Sequence, residues 1–228
     1  MSEPHPAFDL IIFDCDGVLI DSEILSAQML IAELAEDGVV IDLDYVAQHF
    51  LGRAYPTVQA HVRTAFGLDL PADFEARYRA RLMTAFEAEM QAMPGVASVL
   101  DRLRLHWCVA TSSSRPRAER SLEIAGLRAR VGTRLFTASQ VAHGKPAPDL
   151  FLLAAREMGV APARCLVIED SVTGIRAAHA AGMEVWRFTG GSHLAGRDLA
   201  ASEAPRASRD FSDFGMFGTL LPGALFPH

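Results

Sequence analysis

The chain has 228 residues, half of them hydrophobic, and a net charge of −7. That length and apolar content support a full core and exclude a disordered chain. The acidic balance argues against a nucleic-acid partner. Taken in order, the chain opens with an apolar run, Phe8–Ile12, that reads as a buried strand and leads into Phe13-Asp14-Cys15-Asp16-Gly17. Helical patterns follow over Ile24–Asp37, Asp44–Leu51, from Pro56 to near Gly67, and over Phe74–Met90, until Met93-Pro94-Gly95 breaks the periodicity. From there helices over Val96–Leu105, Arg115–Ala125, Pro148–Met158 and Val172–Ala181 alternate with short apolar strands over Trp107–Ala110, Leu135–Thr137, Cys165–Ile168 and Glu184–Phe188. The tail after Gly190 is weakly patterned, with one further helix and an edge strand near Ala207–Phe211 expected.

Apolar strands of four or five residues between helices predict an α/β fold, a Rossmann-like, doubly wound parallel sheet covered on both faces. The helical block interrupts it, so the expected organisation is an α/β core of residues 1–20 and 93–228 with an inserted all-helical cap over 21–92. No apolar stretch is long enough to span a bilayer, and the first residues lack the basic start and apolar run of a signal peptide. Cys15, Cys108 and Cys165 form no close pair and read as reduced, buried thiols. A cytoplasmic protein, a monomer or weak homo-oligomer, is expected.

Ligands of such sheets gather at the carboxyl ends of the strands, and the chemistry here is concentrated there. The first strand leads to Asp14 and Asp16, which is either an Asp-Gly turn or two carboxylates that need a cation between them. The second leads to Thr111, Ser112, Ser113 and Ser114. The third leads to Lys145, and the fourth ends in Glu169-Asp170. Of the 21 basic residues one is a lysine, Lys145, at the place where a compact point charge differs most from a guanidinium. Together these are four carboxylates, a hydroxyl cluster and one ammonium, a set suited to a hard cation and a phosphate.

The four elements resemble the haloacid dehalogenase-like phosphotransferases. Asp14-Cys15-Asp16-Gly17 matches their Asp-x-Asp-Gly motif, Thr111 their strand-end hydroxyl, Lys145 their lysine, and Glu169-Asp170 their acidic pair. The stretch from Ile168 to Met183 looks like the beta-phosphoglucomutase-like and phosphogluconate phosphatase-like branch. The resemblance implies that Asp14 attacks phosphorus and that Asp16 is its acid/base partner. It implies Mg²⁺ held by Asp14, the Asp16 carbonyl, Glu169 and Asp170, and a phosphoryl group held by Thr111, Ser112, Ser113 and Lys145. Too few residues lie between Lys145 and Asp170 for the other cap position of the family.

Asp16 argues against the dehalogenases, which lack it. The absence of lysine from 22–92 argues against the phosphonatase branch. Mutases carry a His where Ser26 stands and a Lys-Gly-x-x-Arg cap segment where this chain has Leu51-Gly52-Arg53-Ala54-Tyr55; their later cap lysine corresponds to Arg81. The expected function is therefore a Mg²⁺-dependent phosphatase for a small phosphorylated sugar, sugar acid or polyol. The alternatives are a phosphosugar mutase and a non-catalytic phosphometabolite-binding module. Arg53, Arg81 and Arg115 are the candidate contacts to the rest of the substrate, and Arg77 shares the Arg81 helix face. The histidines, among them His49, His61 and His193, show no paired metal spacing and are expected on the surface or in the core.

Overall fold

The computed structural model describes residues 7–50, 53, 55–196 and 206–226. The chain separates into two compact units, one made of the residues up to Asp21 and from Gln91 onward, the other of Ser22–Met90.

The larger unit is built on six parallel strands: β1 (Leu10–Phe13), β2 (His106–Thr111), β3 (Leu135–Thr137), β4 (Cys165–Glu169), β5 (Glu184–Phe188) and β6 (Arg209–Phe211). Their order is β3-β2-β1-β4-β5-β6, so β1 lies between β2 and β4. Leu10 pairs with His106 on one side and with Cys165 on the other, and Phe13 with Val109 and Ile168. The chain winds outward to β3, returns across β1, and winds the other way from β4. The crevice of this fold therefore opens beyond the carboxyl ends of β1 and β4.

All four β1 side chains are fully buried, because alternate residues point to opposite faces and both faces are covered. Leu10, Ile12, Cys108, Ala110, Cys165, Val167 and Val185 share one core, with Phe151 and Ala154 of α8 (Asp149–Glu157) and Ile175, Ala177 and Ala178 of α9 (Val172–Ala180). The other face is aromatic: Phe13 meets Trp107 edge-on at 6.3 Å and lies 6.3 Å from Phe217, while Phe188 stacks on Phe214 at 4.6 Å. Each such side chain contributes about 1.5–3 kcal/mol by leaving water. The same alternation sets the site. Asp14 continues the parity of Leu10 and Ile12, and Glu169 that of Cys165 and Val167, so both aim at the α8 side of the sheet.

The smaller unit contains α1 (Glu23–Glu36), α2 (Leu43–His49), α3 (Tyr55–Phe66) and α4 (Phe74–Glu89). Leu30, Leu34, Val46, Phe50, Val58, Val62 and Phe74 form its core. Glu33 is buried within it at 1% exposure, and its carboxylate meets both Arg77 (2.6 Å) and Arg81 (2.9 Å) of α4. Arg77 also pairs with Asp37, and Arg81 with Glu36. A buried acid stays in place only when its charge is met, so these two arginines clamp α4 to α1.

The remaining helices of the larger unit are α5 (Val96–Arg102), α6 (Arg115–Ile124), α7 (Arg128–Val131) and α10 (Phe217–Leu220). The periodicity marked no element at α7, which is a single turn. The tail carries the expected edge strand as β6 and a helix at α10; residues 197–205 lie outside the described residues. Among the described residues no helix is long and apolar enough to cross a membrane.

Candidate active site

Asp14 is the first residue past β1, and its N–H still donates to the Ile168 carbonyl at 2.9 Å. This ladder bond holds the Asp14 side chain beside Glu169, the last residue of β4. Into the same place comes Lys145, from the loop between β3 and α8. Its Nζ donates to Asp14 Oδ1 at 2.5 Å, to Glu169 Oε1 at 2.7 Å and to the Ala110 carbonyl at 3.1 Å. The stem packs so that Nζ sits 4.8 Å from the Phe151 ring centroid. Only 2% of the Lys145 side chain is exposed.

Glu169 is tied further by the Ser171 N–H (2.8 Å) and hydroxyl (2.9 Å). That hydroxyl in turn accepts from the Gly174 N–H at 3.1 Å and caps α9. The cap thus fixes one of the acids of the site. Asp170 follows, 8% exposed, and ligand oxygens of Asp14, Glu169 and Asp170 lie within 4.8 Å of one another.

Two glycines make this crowding possible. Gly17 sits at φ +79°, and a Cβ there would fall 2.0 Å from Asp170 Oδ2. At Gly174 a Cβ would fall 1.8 Å from Glu169 Oε1 and 1.9 Å from Cδ. Gly174→Ala should therefore push Glu169 off Lys145 and Ser171 and weaken divalent-cation binding about tenfold to a hundredfold. Calorimetric titration with the cation checks this, and unchanged affinity would contradict it.

The electrostatics follow from burial. Desolvation pushes the Asp14 carboxyl well above the ordinary carboxylate range, Lys145 pulls it back, and Glu169 and Asp170 push it up again. Asp170 is likewise raised, by burial and then by the Glu169 charge. Burial also works against ionised Glu169, but Lys145 and the two Ser171 donors outweigh it and hold that carboxyl low. For Lys145, desolvation opposes the ammonium, and the Asp14 and Glu169 charges more than reverse it. With all three carboxyls ionised, the one ammonium would leave two negative charges in a buried space, which is what pushes Asp14 and Asp170 toward the protonated form. A hard divalent cation with oxygen ligands answers that deficit, so the residues present fit one.

Asp16 stands at the edge of this cluster. Its Oδ2 accepts from the Ser113 hydroxyl at 2.7 Å, and its Oδ1 lies 3.4 Å from Arg117 Nη2. The Thr111 side chain is buried and accepts from the Ser113 N–H at 3.1 Å. Cys15, between the two acids, is buried, and its thiol is pushed well up by desolvation and then by Asp16 and Asp14. Burial and the two neighbouring charges thus disfavour its thiolate.

Asp14, Asp16, Ser113, Lys145, Glu169 and Asp170 are thus brought together, with Thr111 and Ser112 on the adjoining strand end. Arg115 points elsewhere: its guanidinium donates to the Leu135 carbonyl (2.9 Å) and Gln140 (3.0 Å), which ties α6 to the start of β3 and to the turn after it. Arg81 is engaged by Glu33 and Glu36 inside the helical unit, which accounts for its charge without a substrate. Arg53 is exposed, and Leu51, Gly52 and Ala54 beside it lie outside the described residues. Two side chains carried no sequence signal. Arg117 touches Asp16, and His193, in the turn after β5, brings Nε2 to 3.0 Å from Asp170 Oδ2.

Residues 8–182 match the family described as haloacid dehalogenase-like hydrolase. The 6-phosphogluconate phosphatase of Escherichia coli K12 is 28% identical over 81% of this chain and 84% of its own. Hexitol phosphatase A of the same organism is 32% identical over 76% and 80%. A crystal structure of a HAD family hydrolase from Deinococcus radiodurans R1, with bound phosphate and sodium, superimposes with a TM-score of 0.78. It shares 34% identity and covers 98% of this chain and 100% of that one.

Proposed function

We infer from one premise, that this chain belongs to the haloacid dehalogenase-like hydrolase family, that it hydrolyses phosphate monoesters of small sugars, sugar acids or polyols. The observation that carries this reading is the buried Asp14 carboxylate, held by the Lys145 ammonium with Asp16 two residues away. A carboxylate nucleophile needs a second group to handle protons, and Asp16, two residues on, is the group proposed for it. The substrate class is supported by the relatives, named for a phosphogluconate and for hexitol phosphates.

In the proposed reaction an Asp14 oxygen attacks phosphorus and the bond from phosphorus to the ester oxygen breaks. Asp16, protonated, gives its proton to that oxygen, which departs as the alcohol. An acyl phosphate now joins Asp14 to phosphorus. Asp16, as carboxylate, then takes a proton from water while the water oxygen attacks phosphorus. The bond to Asp14 breaks, inorganic phosphate leaves, and both aspartates are restored. Thr111 and the backbone N–H groups after it, with Lys145, meet charge on the phosphoryl oxygens. Mg²⁺, held by Asp14, Glu169, Asp170 and the Asp16 carbonyl, would supply further positive charge against the phosphoryl oxygens. The Lys145 ammonium keeps its charge at neutral pH, so its part does not depend on the metal.

The test is a panel of sugar, sugar-acid and polyol phosphates incubated with the protein and Mg²⁺. Phosphate release from at least one, lost on chelation, is expected. Isomerisation of a glucose phosphate faster than its hydrolysis would replace this reading with a mutase. Binding of phosphate esters with no release from any would replace it with a non-catalytic module.

A further inference from the structure

The Asp16 carboxyl is gripped on both oxygens by residues that follow β2, Ser113 on Oδ2 at 2.7 Å and Arg117 on Oδ1 at 3.4 Å. We infer that Arg117 and Ser113 are positioning residues for the proton-donating Asp16, and that their grip sets how well the enzyme cleaves esters with poor leaving groups. The inference rests on the phosphatase reading above.

Two contacts on the two oxygens fix both the rotation and the tilt of the carboxyl plane, which one contact cannot do. The backbone beneath is held as well, since the Cys15 carbonyl accepts from the Leu19 and Ile20 N–H groups at 2.9 and 3.1 Å. Arg117 sits in the first turn of α6, which holds no acidic residue. Arg115, two residues earlier, is committed to the first residue of β3. The Asp16 side chain is 12% exposed and that of Arg117 27%, so the contact is screened by water but not immersed in it. An ion pair of that kind adds little stability. Its value lies in geometry, because a proton donor displaced by an ångström loses much of its effect.

The leaving group supplies the test. A sugar or polyol alkoxide must be protonated as it departs, whereas nitrophenolate leaves p-nitrophenyl phosphate without a proton. The ratio kcat/KM covers steps only as far as phosphoryl transfer to Asp14, so it excludes the later work of Asp16 on water. For Arg117→Met and Ser113→Ala, kcat/KM on a hexitol phosphate should fall about tenfold to a hundredfold further than on p-nitrophenyl phosphate. Arg117→Lys should recover part of the difference. Equal losses of kcat/KM on the two esters would overturn the positioning role while leaving the phosphatase reading intact. Wild-type protein that releases phosphate from p-nitrophenyl phosphate and from every member of the panel above at no measurable rate would overturn the phosphatase reading itself. Ser113→Ala removes a single hydroxyl, and an unfolding midpoint equal to that of the wild type shows that the comparison is made on folded protein.

Discussion

Asp14→Asn is expected to abolish phosphate release, by on the order of 10⁴-fold or more, while the fold survives. Asparagine keeps the shape and can still accept from Lys145, but its amide oxygen does not form the acyl phosphate. Survival of the fold follows from the sign of the titration. Burial raises the Asp14 carboxyl well above its ordinary value, so ionised Asp14 works against folding. The penalty begins as pH rises through the ordinary carboxylate range and is complete above the folded value. The neutral amide escapes it. In the presence of a chelator the variant should therefore unfold at or above the wild-type midpoint at neutral pH. Added Mg²⁺ should stabilise it less, since one ligand charge is gone. Calorimetry with and without Mg²⁺, alongside phosphate release, reads both halves. Retained turnover would remove Asp14 from the nucleophile role, and a collapsed fold would contradict the charge argument.

Lys145→Met should be the costlier change for stability. The ammonium is 2% exposed and is the cationic centre between Asp14 and Glu169. Removing one member of a buried ionic cluster leaves its partners uncompensated, at about 3–5 kcal/mol. That is a large share of the roughly 5–15 kcal/mol that holds a domain together. The Asp14 and Glu169 charges hold the Lys145 pKa above its ordinary value. Its contribution is therefore complete below the ordinary lysine value and is lost only as pH rises through the folded one. At neutral pH the whole effect is present. Activity should drop about a hundredfold to a thousandfold even with Mg²⁺ present, because a preorganised donor to the phosphoryl group has gone. Urea unfolding at neutral pH measures the first effect and steady-state kinetics the second. Lys145→Arg should not restore either, since a planar guanidinium does not reproduce a compact ammonium bound at once to Asp14, Glu169 and the Ala110 carbonyl. An unfolding midpoint matching that of the wild type would show that Lys145 does not balance the cluster.

Much of this site could be read from the chain because the strands announce themselves. Leu10–Phe13, Cys108–Ala110 and Cys165–Ile168 are apolar on both faces, and whatever ends such a run stands at the sheet's functional edge. Asp14, Thr111 and Glu169 fall at those ends by position alone, and Lys145 stood out as the sole lysine of the chain. The side-chain partners were less legible. Arg115 and Arg117 lie two residues apart on α6, hence on different sides of the helix. Nothing local says which of them faces Asp16. The sequence placed Arg115 nearest the hydroxyls, and the helix turns it to Leu135 instead. Arg77 and Arg81 share a face, as their spacing requires, but their partner Glu33 lies three helices earlier and looks in sequence like any exposed acid. His193 reaches Asp170 from a turn after β5, through a chain reversal that no periodicity encodes.

Phosphate is expected to pass through Asp14, and one variant isolates that step. With p-nitrophenyl phosphate, transfer to Asp14 needs no proton from Asp16, whereas hydrolysis of the acyl phosphate needs Asp16 as base. Asp16→Asn should therefore load with phosphate and release it slowly. Intact mass after rapid acid quench should show one phosphoryl group per chain, placed on Asp14 by fragmentation and absent from the Asp14→Asn, Asp16→Asn double variant. Nitrophenolate release by the Asp16→Asn variant with no phosphorylated protein, or with the phosphoryl group on another residue, would contradict the account.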